Sequence, residues 1–399
     1  MQVQCSCVYA VESHAAPHRK KVPKLLGQLH TCWSTTLCIF RLEELWNALE
    51  NLSESCGDEV AFAALAALAA TASFAQSSVT LSGNLDFAYG NVSGNAKGNT
   101  ISTRDVASTT SVINIIAVED LGGGMKATVK YGLDPRVLAN NNTAAASNTF
   151  GRDELYVGIE GSFGNIRLGS PNSIGLTTFL SASPLGTGIG SGYVVAAMDY
   201  SNIRYDRSAR YDSPVMGGFS VSALYAPGGD QPAATTPSFI ANNNKVTELG
   251  LNYANGPLTV GYVNIAQAAL TNPTAVAKTN TNILAASYKF GDTTLTAGWN
   301  DGDARARVAT TAQTSKGYRV GVRQDIGAIA LIASYAEQET KTATPAPKEK
   351  VTGLRADYSF SKTAAAYLGY EKYDTGVAAA PSTTTGDRTI VSVGLRKSF

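Results

Sequence analysis

Between residues 152 and 169 apolar and polar positions alternate with a period of two. Leu155, Val157 and Ile159 fall in one phase, and Arg152, Glu154, Tyr156, Gly158 and Glu160 in the other. The turn Gly161-Ser-Phe-Gly164 reverses the chain into 165–169, where Ile166 and Leu168 carry the apolar phase and Arg167 the polar one. Such alternation predicts half-buried strands. From residue 77 onward the theme recurs sixteen times: 78–90, 111–118, 125–134, 152–160, 165–170, 200–212, 217–226, 246–254, 257–266, 281–290, 293–301, 316–325, 327–337, 350–360, 363–373 and 388–399. Connections alternate in length. Short ones (120–124, 161–164, 255–256, 291–292, 361–362) carry turn chemistry. Eight long ones (91–109, 135–151, 171–199, 227–245, 267–280, 302–315, 338–349, 374–387) are rich in Asn, Thr, Ala, Pro and Gly.

The phases agree from strand to strand. One phase holds Phe219, Val221, Ala223 and Tyr225, then Leu249, Leu251 and Tyr253, then Leu284, Ala286, Tyr288 and Phe290, then Leu295, Ala297 and Trp299. The other holds Ser220, Ser222, Lys289, Arg319, Arg323, Arg355, Asp357, Arg388 and Arg396. In a soluble sandwich the apolar phase would be core; in an outer-membrane barrel it faces lipid and the polar phase lines a wet lumen. An even strand number and the one-sided distribution of long loops favour the barrel. So do aromatic residues at strand ends (Phe87, Tyr89, Tyr225, Tyr253, Tyr262, Tyr288, Phe290, Tyr358, Phe360, Tyr370), where an interfacial girdle sits. The prediction is an all-β chain: a 16-stranded antiparallel transmembrane barrel, closed so that no backbone polar group is left unpaired in lipid.

Composition changes the picture mainly at the front. All five cysteines and all three histidines lie within residues 1–59. Cys5-Ser-Cys7 has no second pair at zinc-site spacing, and no metal or other cofactor is expected. Residues 60–75 form an apolar run ending in Ser73-Phe74-Ala75, the small-x-small pattern of a secretory cleavage site. Glu54, Asp58 and Glu59 stand where lysines should precede such a run. The reading is that 1–59 is a non-native or misannotated extension, 60–75 a signal-peptide hydrophobic region, and 76–399 the barrel. A helical pro-segment over 42–52 is the alternative. The remainder has 27 Lys+Arg (32 minus 5) against 24 Asp+Glu (31 minus 7), too small an excess for nucleic acid. Without histidine it lacks the usual general base, which disfavours the barrel enzymes. A hydrolase built on Asp153-Glu154, or on Asp199 and Asp206, stays open, although neighbours in a strand face opposite ways. Glycines 122–124 and 186–192 have no P-loop lysine.

Several motifs carry a resemblance: Ser78-Val-Thr-Leu-Ser-Gly-Asn-Leu-Asp86, Glu119-Asp-Leu-Gly-Gly-Gly-Met-Lys126, Leu155–Gly164, Arg210-Tyr-Asp-Ser-Pro214 with Gly217-Gly-Phe219, and Val393-Gly-Leu-Arg396 before the terminal Phe399. Together they resemble the general diffusion porins of beta-proteobacteria across nearly all of 77–399. The resemblance implies short periplasmic turns, long extracellular loops and a homotrimer. It also implies a third loop, after the fifth strand, folded into the lumen. Small hydrophilic solutes and ions would pass, and the lipid bilayer and lipopolysaccharide would surround the barrel. The chain departs from the family at Val112, where an arginine is usual, and at Gly169-Ser-Pro-Asn172, where Gly-Arg-Gln is usual.

Within that frame 171–198 is the constriction candidate, and it holds no charged residue. Arg152, Arg167 and Arg204 are expected to project into the lumen beside it. Arg207 and Arg210 are expected there too, in a stretch where alternation slips. Glu154, Arg319, Arg323 and Arg355 complete the expected pore lining. Rings of fixed charge set selectivity in wet pores, so a weak anion preference is expected. The competing expectation is that these arginines pair with Glu154, Glu160 or Asp206 and only satisfy the wall.

Overall fold

The computed structural model describes residues 77–94, 98–102, 111–134, 152–186, 188–191, 204–227, 244–269, 278–304, 313–341, 348–374 and 387–399. The segments 1–59 and 60–75 singled out above lie outside the described residues. Among the described residues seventeen strands form one continuous antiparallel sheet. The first eight are β1 (Ser78–Gly94), β2 (Gly98–Ser102), β3 (Val112–Gly122), β4 (Met125–Leu133), β5 (Arg152–Gly161), β6 (Gly164–Ser170), β7 (Ser208–Asp212) and β8 (Phe219–Ala226). Then come β9 (Asn244–Asn255), β10 (Leu258–Ala269), β11 (Lys278–Phe290), β12 (Thr293–Ala304) and β13 (Gln313–Ile326). The last are β14 (Ile329–Lys341), β15 (Lys348–Ser361), β16 (Ala364–Asp374) and β17 (Arg388–Ser398).

Closure happens at β1. One edge pairs with β17, from Asn84 opposite Ser398 to Gly94 opposite Arg388. The other edge pairs with β3 through residues 78–84 and with β2 through residues 88–92. Because β2 and β3 share that edge, seventeen strands occupy sixteen barrel positions, as expected from the sequence. Gly83 and Phe399 exchange two backbone hydrogen bonds at the seam, 2.9 and 3.0 Å. Every hairpin from β3 to β16 closes at one end of the barrel, where Gly256, Gly291 and Gly327 adopt φ of 54°, 54° and 59° for tight reversals. The long loops leave from the other end.

The apolar phase lies outside. Leu249 (57% exposed), Leu368 (59%) and Leu395 (62%) stand bare, a cost in water that disappears in hydrocarbon. Aromatic rings meet close to the short turns, Phe219 with Tyr253 at 4.6 Å and Tyr358 with Phe360 at 5.3 Å. At the opposite end Tyr318 and Tyr335 meet at 6.1 Å. These are two belts at interfacial height.

Four details differ from the sequence reading. The strand expected over 200–212 is regular only from Ser208, with an isolated bridge at Arg204 and a turn at Asp206–Arg207. The short β2 was not expected. Two residues of β5, Asp153 and Glu154, oppose one of β4, Gly132, between the pairs Tyr131–Leu155 and Leu133–Arg152, a bulge that breaks the alternation. Finally, the inner phase is not polar throughout. Leu224, Val246, Val263, Ile265 and Ile283 point inward and are buried.

Outward and inward substitutions should therefore separate cleanly. Val320→Arg, on the outer phase midway along β13, is expected to cost about 2–4 kcal/mol in a bilayer. Urea titration of folding into lipid vesicles measures it, and a neutral result would contradict the lipid-facing assignment.

Candidate functional site: a loop bolted to the inner wall

Residue Ser170 ends β6, and the chain turns inward. Ser173 caps a short helix, α1 (Ile174–Ser181), its hydroxyl accepting the Leu176 N–H at 3.0 Å. Ile174, Leu176 and Phe179 are buried, and the helix has no charged residue. A helix that apolar needs an apolar bed. The inward Leu224, Val246, Val263, Ile265 and Ile283 provide it, with Tyr205 beside them. Burial of that kind contributes about 1.5–3 kcal/mol per large side chain.

Glycines on the inner phase let the loop come close. A Cβ at Gly250 would meet Ile174 at 2.7 Å, one at Gly321 would meet Pro184 at 2.7 Å, and one at Gly369 would meet Ile189 at 2.7 Å. At Gly353 it would collide with the Gly190 carbonyl, and Gly190 itself adopts φ +87° against Arg355. From α1 to Ser191 the loop thus runs over β9, β13, β15 and β16.

Wall side chains then take up the loop's backbone polar groups. Glu154 accepts the Asn172 N–H at 2.9 Å, and Arg210 donates to the Asn172 carbonyl at 2.7 Å. The buried Glu248 accepts the N–H groups of Ile174 and Gly175 at 2.6 and 3.2 Å and the Tyr205 hydroxyl at 3.1 Å. A carboxylate at the positive end of a helix dipole is favoured. At the far end Glu371 accepts the Gly190 N–H at 2.8 Å, and Ser334 donates to the Gly190 carbonyl at 2.9 Å. Arg319 donates to the Ser191 carbonyl at 2.7 Å while its guanidinium covers the Phe179 ring at 4.6 Å. Arg355 reaches the Ile189 carbonyl at 3.5 Å, pairs with Asp357 at 2.5 Å and lies over the Tyr367 ring at 3.6 Å.

The residues singled out from sequence therefore divide. Arg210, Arg319 and Arg355 are buried loop ties, and Glu154 is another, bound also to Lys130. Arg167 pairs with Asp212, which also takes Arg210 at 2.9 Å. Arg204 pairs with Asp153 at 2.5 Å, and Arg323 with Asp325 at 2.8 Å. Arg207 is exposed in its turn at φ 55°. Arg152 begins β5 beyond the bulge, and its side chain lies outside the described residues, as does Asp199. The carboxylates in ion pairs with Arg167, Arg204 and Arg210 are Asp212 and Asp153; of the acids expected from sequence, Glu154 pairs with Lys130 and Glu160 with Lys126. The bulge explains Asp153, because a Cβ at the inward Gly132 would lie 2.9 Å from its Cβ and 3.0 Å from Glu154 N. Both acids thus reach the lumen side. The sequence reading missed Glu248, Glu371, Ser334 and the seat glycines. Isolated glycines on the polar phase of strands were the available signal.

With this geometry in hand, the family profile described as Gram-negative porin matches residues 61–377. "Outer membrane porin protein 32" of Delftia acidovorans is 28% identical over 84% of this chain and 98% of its own length. "Major outer membrane protein P.IB" of Neisseria gonorrhoeae is 32% identical over 41% of this chain, an alignment spanning 43% of that relative. The solved anion-selective porin from Comamonas acidovorans superposes with a TM-score of 0.64 at 22% identity, over 81% of this chain and all of that one. The trimer form of OmpT from Vibrio cholerae superposes at 0.58 and 15% identity, over 81% and 99%.

Glu248→Ala would leave two loop N–H groups and the Tyr205 hydroxyl without their acceptor. At about 1.5–3 kcal/mol for a charged hydrogen bond, amide exchange over 172–182 is expected to quicken roughly ten- to hundredfold, with β13–β15 unchanged. Hydrogen exchange read by mass spectrometry decides it. Unaltered protection in the loop would remove Glu248 from its role.

Proposed function

The chain belongs to the Gram-negative porin family, and on that premise we propose that it forms a water-filled channel for passive diffusion of small hydrophilic solutes and ions. It is a β-barrel of the bacterial outer membrane. The observation that carries the channel reading is the loop: fastened to β9, β13, β15 and β16, it narrows the lumen while leaning on one arc of the wall. A loop tied at both ends keeps a fixed aperture.

The finer reading is a weak anion preference. Among the described side chains of β4–β7, with the bridge residue Arg204, five cations (Lys126, Lys130, Arg167, Arg204, Arg210) stand among four carboxylates (Asp153, Glu154, Glu160, Asp212), an excess of one. The loop adds no acid over 171–198. Pairing weakens the field but does not cancel it, and salt screens it over about 8 Å, which is why the preference is weak. The anion-selective relative from Comamonas acidovorans lends the same sign. Arg152, Arg207 and Arg323 belong to this proposed lining at lesser weight, while Arg319 and Arg355 act by holding the loop. A carboxylate hydrolase finds no support, because Asp153 is bound to Arg204, and Glu154 to Lys130 and the Asn172 N–H.

The assembly belongs to the same proposal. A homotrimer, surrounded by bilayer lipid and lipopolysaccharide, suits the bare apolar exterior, and a trimer form is known for the OmpT relative. Residues 60–75 serve as the export signal, and the 1–59 extension has no part in the channel.

Single-channel recording of the full chain in a planar bilayer under a salt gradient tests this. Stepwise openings with a reversal potential of anion sign are expected. Arg167→Gln with Arg204→Gln leaves three described cations against four carboxylates along β4–β7, so the reversal potential is expected to move toward the cation sign. Folded protein without openings would sink the channel; a cation sign in the unaltered chain would sink the arginine argument.

A further inference from the structure

At the turn end of the barrel, away from the loop, a recess of about 220 Å³ opens between β15–β16 and the start of β1. Ser359, Ser361, Lys362, Thr363, Arg396 and Ser398 line it, and no Asp or Glu side chain does. Arg396 lies on the lumen phase of β17, two positions beyond the inward Gly394. Its side chain makes no ion pair or hydrogen bond with another described residue. In this it differs from Arg167, Arg204, Arg210, Arg319, Arg323 and Arg355, all of which are engaged. Asp86, the carboxylate whose charge reaches Arg396, already receives the Tyr367 hydroxyl at 2.5 Å. Lys362, exposed in the β15–β16 turn, is likewise unpaired among the described residues.

The hydroxyls are oriented by what they accept. Ser361 Oγ accepts the Thr363 N–H at 3.2 Å. Thr363 Oγ1 accepts the Lys397 ammonium at 2.8 Å. With those lone pairs engaged, the hydroxyls present protons, of which one at most is shared between the two oxygens, 3.5 Å apart. Two cations without ion pairs and hydroxyl donors, with no Asp or Glu side chain in the lining, form a surface that an oxyanion complements. The volume holds several waters at ~30 Å³ each, enough for a small hydrated anion.

We propose that this recess, at the periplasmic mouth of the lumen, binds small oxyanions of the inorganic phosphate class through Arg396 and Lys362. The site rests on the channel reading for its biological use, because it stands where anions leave the lumen. Arg396 comes from the wet phase, so the ligand arrives from water and not from the lipid around the barrel. Affinity is modest, about 1 mM or weaker, as befits a solvent-open site. That suits a place that collects ions and releases them.

The test is phosphorus-31 line broadening of inorganic phosphate titrated against the full chain in detergent, with bilayer recording in chloride on the same preparation. Saturable broadening is expected, and Arg396→Gln and Lys362→Gln should each weaken it about fivefold or more. Lys362 lies in an exposed turn, so its variant cannot fail for want of folding. Lys126→Gln, at the same end but paired with Glu160 at 4.0 Å, should leave it unchanged. No saturable broadening, broadening indifferent to both site variants, or an equal loss in Lys126→Gln would each overturn the site. Protein that conducts without binding phosphate removes this inference alone, whereas protein that never conducts removes the channel.

Discussion

An unpaired N–H or C=O in hydrocarbon costs several kcal/mol, and a sheet of sixteen positions has two edges' worth of them unless it closes. The ladder between β1 and β17 removes both edges. Its two strands come from the start and the end of the barrel sequence. The double hydrogen bond between Gly83 and Phe399 ends that seam, and the division of the other β1 edge between β3 and β2 completes it. Once the cylinder is shut, inside and outside are distinct solvents. Every other feature follows from which of them a side chain meets.

The outside obeys one rule: apolar residues along the strand and rings at its ends, next to lipid and headgroups. The inside obeys two. Where water fills the lumen the phase is charged or hydroxylic. Under the loop it is aliphatic and glycine-rich, because there the wall meets a helix instead of water. A barrel of this width would otherwise enclose only solvent; the loop gives it a small hydrophobic core of its own.

That core explains the double use of the arginines. A loop inside a barrel leaves backbone groups away from bulk water, and each needs a partner. Arg210, Arg319 and Arg355 donate to carbonyls, while Glu154, Glu248 and Glu371 accept N–H groups. The charge that tunes a pore is thus in part the charge that holds its constriction in place. The side chains of Arg167 and Arg204 are tied to carboxylates on the wall, and Arg204 meets the loop only through its backbone bridge to Asn172, so replacing these side chains changes the field without removing a side-chain tie to the loop.

Alternation with period two, the even number of segments and the one-sided long loops determined the barrel, its outward phase and its turn end. These are local properties, and a strand's phase is set by its own residues. They could not place what depends on meeting. The bulge at Asp153, the turn that cuts β7 short, and the pairing of Asp212 with two arginines arise from register between strands. Likewise nothing in Gly250, Gly353 or Gly369 alone states that a loop lies against it; each reads as a weak strand position until the loop arrives. The sequence by itself determined which face of each strand meets lipid, because a run of side chains with period two can satisfy only one arrangement of solvents. Only the tertiary structure decided which lumen charges are spent on holding the loop and which remain to face an ion. That choice is made by distance in three dimensions, between residues the chain keeps far apart.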